Sequence, residues 1–424
     1  MESTSLLALP TELIQEIARQ LDSPGRLSLR LACRQTNAKT YHTFTDVHFT
    51  TRRHIFTEHS LNCLVSISQH PSLAQAVQNL ELSLLPFEQR DRNAMHDPTS
   101  PFYVPDENSR TALTHFLDSQ AHCHRSGKDV VLLTRVLAHL PNLRTLRIAN
   151  EPSASWGYHH LGTALGWPAY MASSAHGASL PSVYGFDAAL AAIQASAAAI
   201  HELDVAGGLP PSSLALPPAA AARLRPSMAH LRVLTLLVSL PLRAAPALHD
   251  AATNDDDDDG LLALLPNLDV LRLGASRGRA SNLDAFLAAV FRRAGWPRLR
   301  ALHLFHLDAR RDVLTSVLRR CAALEYLVLD DGRARGACWR PGMRYAATQH
   351  PALVAVLCKR FEVLAEEEED GERSPFLEYD APKEAAARHL VVDRENEWPR
   401  QQLPWAFLTG PGFWGKERVL FQMR

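Results

Sequence analysis

Apolar residues recur along this chain with two different periods. Between Thr11 and Leu21, the residues Leu13, Ile14, Ile17 and Leu21 fall on one face of a 3.6-residue helix, opposite Glu12, Gln15, Glu16 and Arg19. Pro10 suits the helix start, because first-turn N–H groups have no internal partner. Asp22-Ser23-Pro24-Gly25 breaks the helix and predicts Ser23 as the N-cap of a second one, which carries Leu27 and Leu31 with Leu29 and Cys33 beside them. Over residues 73–333 a hexamer with apolar residues at positions one, four and six takes over. It runs Val77 to Leu82, Leu143 to Ile148, Ile200 to Val205, Leu231 to Leu236, Leu268 to Leu273, Leu299 to Leu304 and Leu324 to Leu329.

Helical patterns precede several of these hexamers, at Lys128 to Leu140, Phe186 to Ala199, Ser281 to Ala294 with Ser281 as N-cap, and Ala309 to Cys321. A helix, a turn and a short alternating strand, repeated at intervals of 25 to 37 residues over the last four spacings, predict a solenoid with a parallel sheet along one side. Polar turns are expected just past the strands, at Asn150-Glu151-Pro152, Gly207-Gly208 and Asp330-Asp331-Gly332. Pro86 to Arg110 and Glu151 to Pro181 read as irregular, and Asn254 to Gly260, with its aspartate run Asp255 to Asp259, as a solvated loop. After Gly332 the pattern is lost. A helix over Tyr345 to Ala365, the acidic run Glu366 to Asp370 and a Pro- and Trp-containing segment (Trp398, Trp405, Trp414) are expected to cap the last repeat.

Composition narrows the partners. The chain of 424 residues is 46% hydrophobic and 21% charged, and 44 Lys+Arg against 45 Asp+Glu leave a net charge of -1, so no global field draws it to nucleic acid or to an anionic membrane. Six cysteines without a C-x-x-C, and no N-x-[ST] sequon, fit a reducing compartment, cytoplasm or nucleus. Glu2 replaces a basic leader region, and no apolar run reaches the roughly 18 residues of a membrane span.

Two short helices make a unit of about 45 residues, too small for a self-sufficient core, so another surface must cover their apolar faces. The order Leu9-Pro10-x-Glu12-Leu13-Ile14-x-x-Ile17-x-x-x-Leu21-Asp22, then Leu27-x-Leu29-Arg30-Leu31-x-Cys33-Arg34, resembles the F-box. The aromatic residue often found soon after the Cys-Arg pair is absent here, with Tyr41 and Phe44 arriving later. The resemblance implies a helical module that docks a Skp-type linker and, through it, a cullin scaffold, with Leu9, Pro10, Leu13, Ile17, Leu27 and Leu31 as the linker-binding positions. The hexamers resemble irregular leucine-rich repeats. The expected architecture is α/β: an F-box-like three-helix module over residues 1–48, a leucine-rich-repeat-like solenoid over 49–335 and a C-terminal cap over 336–424.

The function this implies is a substrate-recognition adaptor of an SCF-type E3 ubiquitin ligase, binding an unknown target protein and performing no chemistry itself. An F-box-like scaffold without a ubiquitination role is the alternative. Residues between the apolar positions face away from the core, which makes Arg147, Asp204, Arg272, His303, Phe305 and Tyr326 the candidate target-binding side chains. Chemistry has one foothold. Gly274-Ala275-Ser276-Arg277-Gly278 fits G-x-S-x-G between an expected strand and helix, with Asp284, His303 and His306 downstream, but a repeat turn explains the glycines and no oxyanion segment accompanies it. His115, His122, Cys123 and His124 read as a surface loop without metal-site spacing. No cofactor, metal or nucleic-acid motif is expected.

Overall fold

Each apolar position of the seven hexamers is buried, none more than 6% exposed, and the last four residues of each hexamer lie in or at the edge of a strand. The computed structural model describes residues 6–85, 96–100, 103–104, 106–149, 155–166, 182–239, 260–275, 286–288, 290–291, 296–306, 308–309, 313–335, 341–342, 344–346, 349–364, 390–393 and 418–422. They form two units, Met1–Ile200 and His201–Arg424.

The first unit begins with three helices, α1 (Thr11–Gln20), α2 (Ser23–Ala32) and α3 (Arg34–Phe49). The cap of α2 is Asp22 rather than Ser23: its Oδ1 accepts the Gly25 N–H at 2.9 Å, one residue earlier than the sequence predicts. Strands β1 (Thr51–Ile55), β2 (Asn79–Ser83) and β3 (Thr145–Ala149) follow as a parallel ladder. The helices of this unit are α4 (Glu58–Gln69), α5 (Pro71–Ala76), α6 (Glu107–Arg125), α7 (Lys128–Ala138), α8 (Tyr158–Leu165) and α9 (Ser182–Ser196), with α7 packed between α4 and α9. Parallel strands need such crossovers.

Register shows a row that hydropathy hides. Arg52 of β1 lies opposite Leu80, and His54 opposite Leu82, so two polar residues occupy core positions of the ladder. The segments read as irregular also contain helices. Asp106 caps α6 by accepting the Ser109 N–H at 2.6 Å, and α8 sits inside the 151–181 stretch. His115 to His124 therefore lie on a helix and not on a loop; α6 buries Leu113, Leu117 and Cys123 among mostly polar neighbours, a faint pattern.

In the second unit β4 (Glu202–Leu209), β5 (Val233–Val238), β6 (Val270–Ala275), β7 (Ala301–Phe305), β9 (Tyr326–Arg335) and β10 (Ala355–Leu364) pair in parallel, and the two-residue β8 (Asp308–Ala309) joins β9. β11 (Leu390–Asp393) and β12 (Arg418–Gln422) add antiparallel strands beside β10. Helices α10 (Pro218–Met228) and α11 (Leu314–Arg320) lie between strands, as do residues 286–288 and 290–291 in helical conformation; Ser281 lies outside the described residues. α11 is shorter than its pattern predicts, because Asp308 and Ala309 are drawn into strand pairing.

A hydrogen-bond relay locks the hexamers in phase. The carbonyl at position two accepts two N–H groups from the next copy, from His201 to Arg232, Arg232 to Asp269, Asp269 to Arg300, Arg300 to Glu325, and Glu325 to Val354 and Ala355. That last step reveals an eighth copy, Leu353 to Cys358, where a helix was expected. Val356 aligns with Leu327 and Cys358 with Leu329, and the alternation is claimed by the open edge of β9. The expected turns at Gly207-Gly208 and Asp330-Asp331-Gly332 are likewise strand, β4 passing the glycines with a shift of register against β5. Asn150 to Pro152, the aspartate run, the acidic run and the three tryptophans lie outside the described residues.

Gly274 has a packing reason of its own. It pairs with Phe305, whose ring would stand 2.2 Å from any Cβ at that position. Gly274→Ala is expected to cost about 1–3 kcal/mol by overpacking, and the double variant Gly274→Ala/Phe305→Leu to recover part of it. Urea unfolding of the four forms checks this; simple additivity would show that the two residues do not compete for space.

Candidate docking surface

The N-terminal helices are apolar on the outside. Among the described residues of α1 to α3, the buried side chains are Ile14, Ala18, Thr36, Thr40, Thr43 and Thr45, whereas Leu13 is 52% exposed, Ile17 39%, Leu27 45% and Leu31 85%. The stripe Leu13, Ile14, Ile17 therefore splits: Ile14 and Ala18 turn toward α3, and Leu13 and Ile17, four residues apart, turn out. Three of the four threonine hydroxyls inside are turned to the backbone, Thr36 donating to the Cys33 carbonyl at 2.9 Å, Thr40 to the Thr36 carbonyl at 2.7 Å and Thr45 to the His42 carbonyl at 2.8 Å. This small polar core leaves the leucines with nothing to cover them within their own helices. Leu31, the most exposed, would gain roughly 1.5–3 kcal/mol from full burial, and the partly covered others about half as much.

The turn ahead of α1 is held in place. Lys39 on α3 donates to the carbonyls of Leu7 at 3.1 Å and Leu9 at 2.8 Å, and Gln15 donates to the Lys39 carbonyl at 3.3 Å. Leu9 is half-buried and Pro10 exposed. Of the six positions expected to bind a linker, Pro10, Leu13, Ile17, Leu27 and Leu31 are exposed, and half-buried Leu9 anchors the turn through its carbonyl.

The candidate target-binding residues are differently placed. In the first unit Arg147 is engaged with Glu81, which it approaches at 3.3 Å while Arg53 approaches from the other side at 3.5 Å; the register Arg53, Glu81, Arg147 places one buried carboxylate between two guanidinium groups. In the second unit Asp204, Arg272, Phe305 and Tyr326 are half-buried, and His303, expected on an exposed face, is 5% exposed with Asp330 4.0 Å away. The reason is the neighbouring row: Ala301, Val328 and Leu357 form an apolar cluster against which Val270 and Tyr326 pack. Arg272 approaches Glu202 at 3.9 Å. This sheet face thus carries a packed apolar strip with charges at its side, where an open row of charged and aromatic target-binding side chains was expected.

Two groups of polar side chains in the first unit have the residue types of catalysis. The Ser60 hydroxyl donates to the Trp156 carbonyl at 3.3 Å, so at 3.0 Å it accepts from His54 Nδ1–H, and the Nε2 of His54 faces Arg52 Nη2 at 3.4 Å. A histidine that donates to the serine cannot take its proton, and both side chains are fully buried. The pair is structural.

The second group joins three helices. Asp129, 1% exposed at the start of α7, accepts from His124 of α6 at 2.5 Å and from the Tyr184 hydroxyl of α9 at 2.6 Å, and its other oxygen takes the Val130 N–H at 2.8 Å. Burial pushes its carboxyl up, but these hydrogen bonds outweigh it and hold the group below the usual carboxylate range. Cys123 beside it is buried, its thiol pushed up to about 11 by burial and by the charges of Asp129 and Glu58, which makes it inert as a nucleophile at neutral pH. Asp129→Ala is expected to cost about 2 kcal/mol at pH 7 by stripping the His124, Tyr184 and Val130 donors of their acceptor. Because a depressed carboxyl stabilises only above its unfolded pKa near 4, the gap between variant and parent should close as pH falls below that value in urea unfolding.

Ser276 and Asp284 lie outside the described residues. Among the described residues no group of His, Cys, Asp and Glu is arranged to hold a metal ion, and no helix is long and apolar enough to cross a membrane. No protein-family model and no curated protein matches this chain.

Proposed function

We propose that this protein is an adaptor that docks a Skp-type linker through α1 and α2 and holds a target protein on its repeated parallel strands, as a substrate receptor of an SCF-type ubiquitin ligase. In this reading residues 1–48 act as an F-box-like module, the hexamers form an irregular leucine-rich-repeat-like solenoid, and the chain performs no chemistry. Its contribution is proximity, which converts a bimolecular transfer into an effectively unimolecular one. The reading is supported above all by one observation: α1 and α2 expose Leu13, Ile17, Leu27 and Leu31, while the side chains buried in the three helices are Ile14, Ala18 and four threonines of α3. The F-box resemblance names the partner, and the exposed residues are the ones it designates.

The test is co-purification of the full chain with a Skp-type linker, beside a Leu13→Ala/Leu31→Ala variant. Capture by the parent and loss in the variant supports docking through this face. No capture by a folded parent removes the ligase reading. Recruitment of a cullin to the captured complex then separates a ligase receptor from a scaffold that binds the linker alone.

A further inference from the structure

We propose that Arg26, Arg30, His48 and Arg52 form a binding site for a phosphoryl-type oxyanion. Arg26 and Arg30 are four residues apart on α2, His48 closes α3, and Arg52 lies on β1. They are assembled on a scaffold of rings. The Arg30 guanidinium lies 3.5 Å over the Phe44 ring, Phe44 is 4.9 Å from the His48 ring and 5.6 Å from Phe49, and Arg52 lies 5.0 Å over Phe49. Arg52 also donates to the His48 carbonyl at 3.1 Å, which ties the strand to the end of α3.

Like charges four residues apart on a helix repel, yet none of the three arginines forms an ion pair among the described residues. The nearby carboxylates are engaged otherwise: Asp22 with the Gly25 N–H, Asp46 with the Thr50 hydroxyl, Glu16 with Arg19. The polar atoms tell the same story. Arg26 Nε and Arg52 Nε are buried donors without a hydrogen-bond partner, and His48 Nε2 is a buried polar atom likewise unpartnered, although buried unpaired polar groups are costly and native structures hold few of them. Burial, reinforced by the charges of Arg26, Arg52 and Arg30, holds the His48 imidazole below its usual range, and burial depresses Arg30 and Arg52.

Concentrated positive charge, unpaired donors and partial burial are all relieved by one multivalent acceptor. Forked guanidinium groups match the oxygens of a phosphoryl group. Free phosphate and a phosphorylated side chain share this chemistry.

Phosphorus NMR titration of the full chain, with inorganic phosphate in one arm and a short phosphoserine peptide in the other at constant ionic strength, tests the site. Saturable broadening is expected for at least one probe, with affinity at least tenfold weaker in Arg26→Gln/Arg30→Gln. Tighter binding of the peptide identifies a protein-borne phosphate; equal binding identifies the free anion. Arg26→Gln alone, which alters a side chain held by one long contact to the Arg19 carbonyl (3.4 Å), keeps the test open should the double variant misfold, as judged by circular dichroism. Absence of binding to both probes at millimolar concentration, or equal affinity in parent and folded variants, overturns the proposal.

Discussion

Replacing Leu13 and Leu31 together by alanine is expected to weaken capture of a Skp-type linker about a hundredfold, while the unfolding free energy of the chain stays within about 0.5 kcal/mol of the parent, because both side chains are exposed. Each truncation removes three carbon atoms from an interface at about 0.8 kcal/mol per methylene, and part of that is offset by the looser fit of the remaining surface. A loss of nearly 3 kcal/mol for the pair corresponds to the stated factor. Ile14→Ala provides the contrast. That side chain is fully buried against α3, so its truncation should destabilise the helices by about 2–4 kcal/mol and reduce capture only through loss of folded protein. Titration of linker onto the three forms, with unfolding measured on each, decides the matter. If the double variant binds like the parent, the exposed leucines are not the interface.

Much of this fold is legible from sequence wherever burial demands an apolar residue. The seven hexamers could be aligned because positions one, four and six carry Leu, Ile or Val, and all are buried. Legibility fails where a neighbour overrides local pattern. β10 copies the register of β9 although its sequence reads as a helix, and β1 belongs to the ladder although Arg52 and His54 occupy its core positions. A polar residue at a core position gives no hydrophobic signal, so only the strand pairing reveals it.

The candidate docking face was half legible. Periodicity groups Leu13, Ile14 and Ile17 on one side of α1, but whether that side faces a partner or a core depends on where α3 packs, and α3 has little apolar patterning of its own: its inward residues are threonines. The sheet face was harder. Alternation assigns His303 outward, and outward proved to be toward Asp330 and the Ala301, Val328, Leu357 strip, all buried. Alternation tells which face of a strand a residue occupies; it does not tell whether that face is wet.

The buried histidine of β1 carries the strongest pH dependence expected of this protein. Burial, reinforced by the charge of Arg52 and opposed by the Ser60 contact, drives the His54 imidazole from 6.5 to about 3. In the folded chain His54 is neutral, donating through Nδ1 to Ser60, and protonating it would place a second cation against the Arg52 guanidinium. The unfolded chain binds that proton from pH 6.5 downward and the folded chain does not, so stability falls with pH by about 1.4 kcal/mol per unit through this window, a loss of roughly 4 kcal/mol at its acid end. Between pH 6.5 and 4.5 the parent should therefore lose a little over 2 kcal/mol more than His54→Gln, because the unfolded histidine is already half protonated at the upper value; the glutamine amide can donate to Ser60 but takes up no proton. The variant starts from a lower stability at pH 7, because the amide does not fill the space of the ring beside Trp156. Its slope, rather than its intercept, is the informative quantity, since carboxylates titrate alike in both proteins and cancel in the difference. Urea unfolding at the two pH values measures it, and parallel losses in parent and variant would show that His54 is protonated, or solvated, in the folded chain.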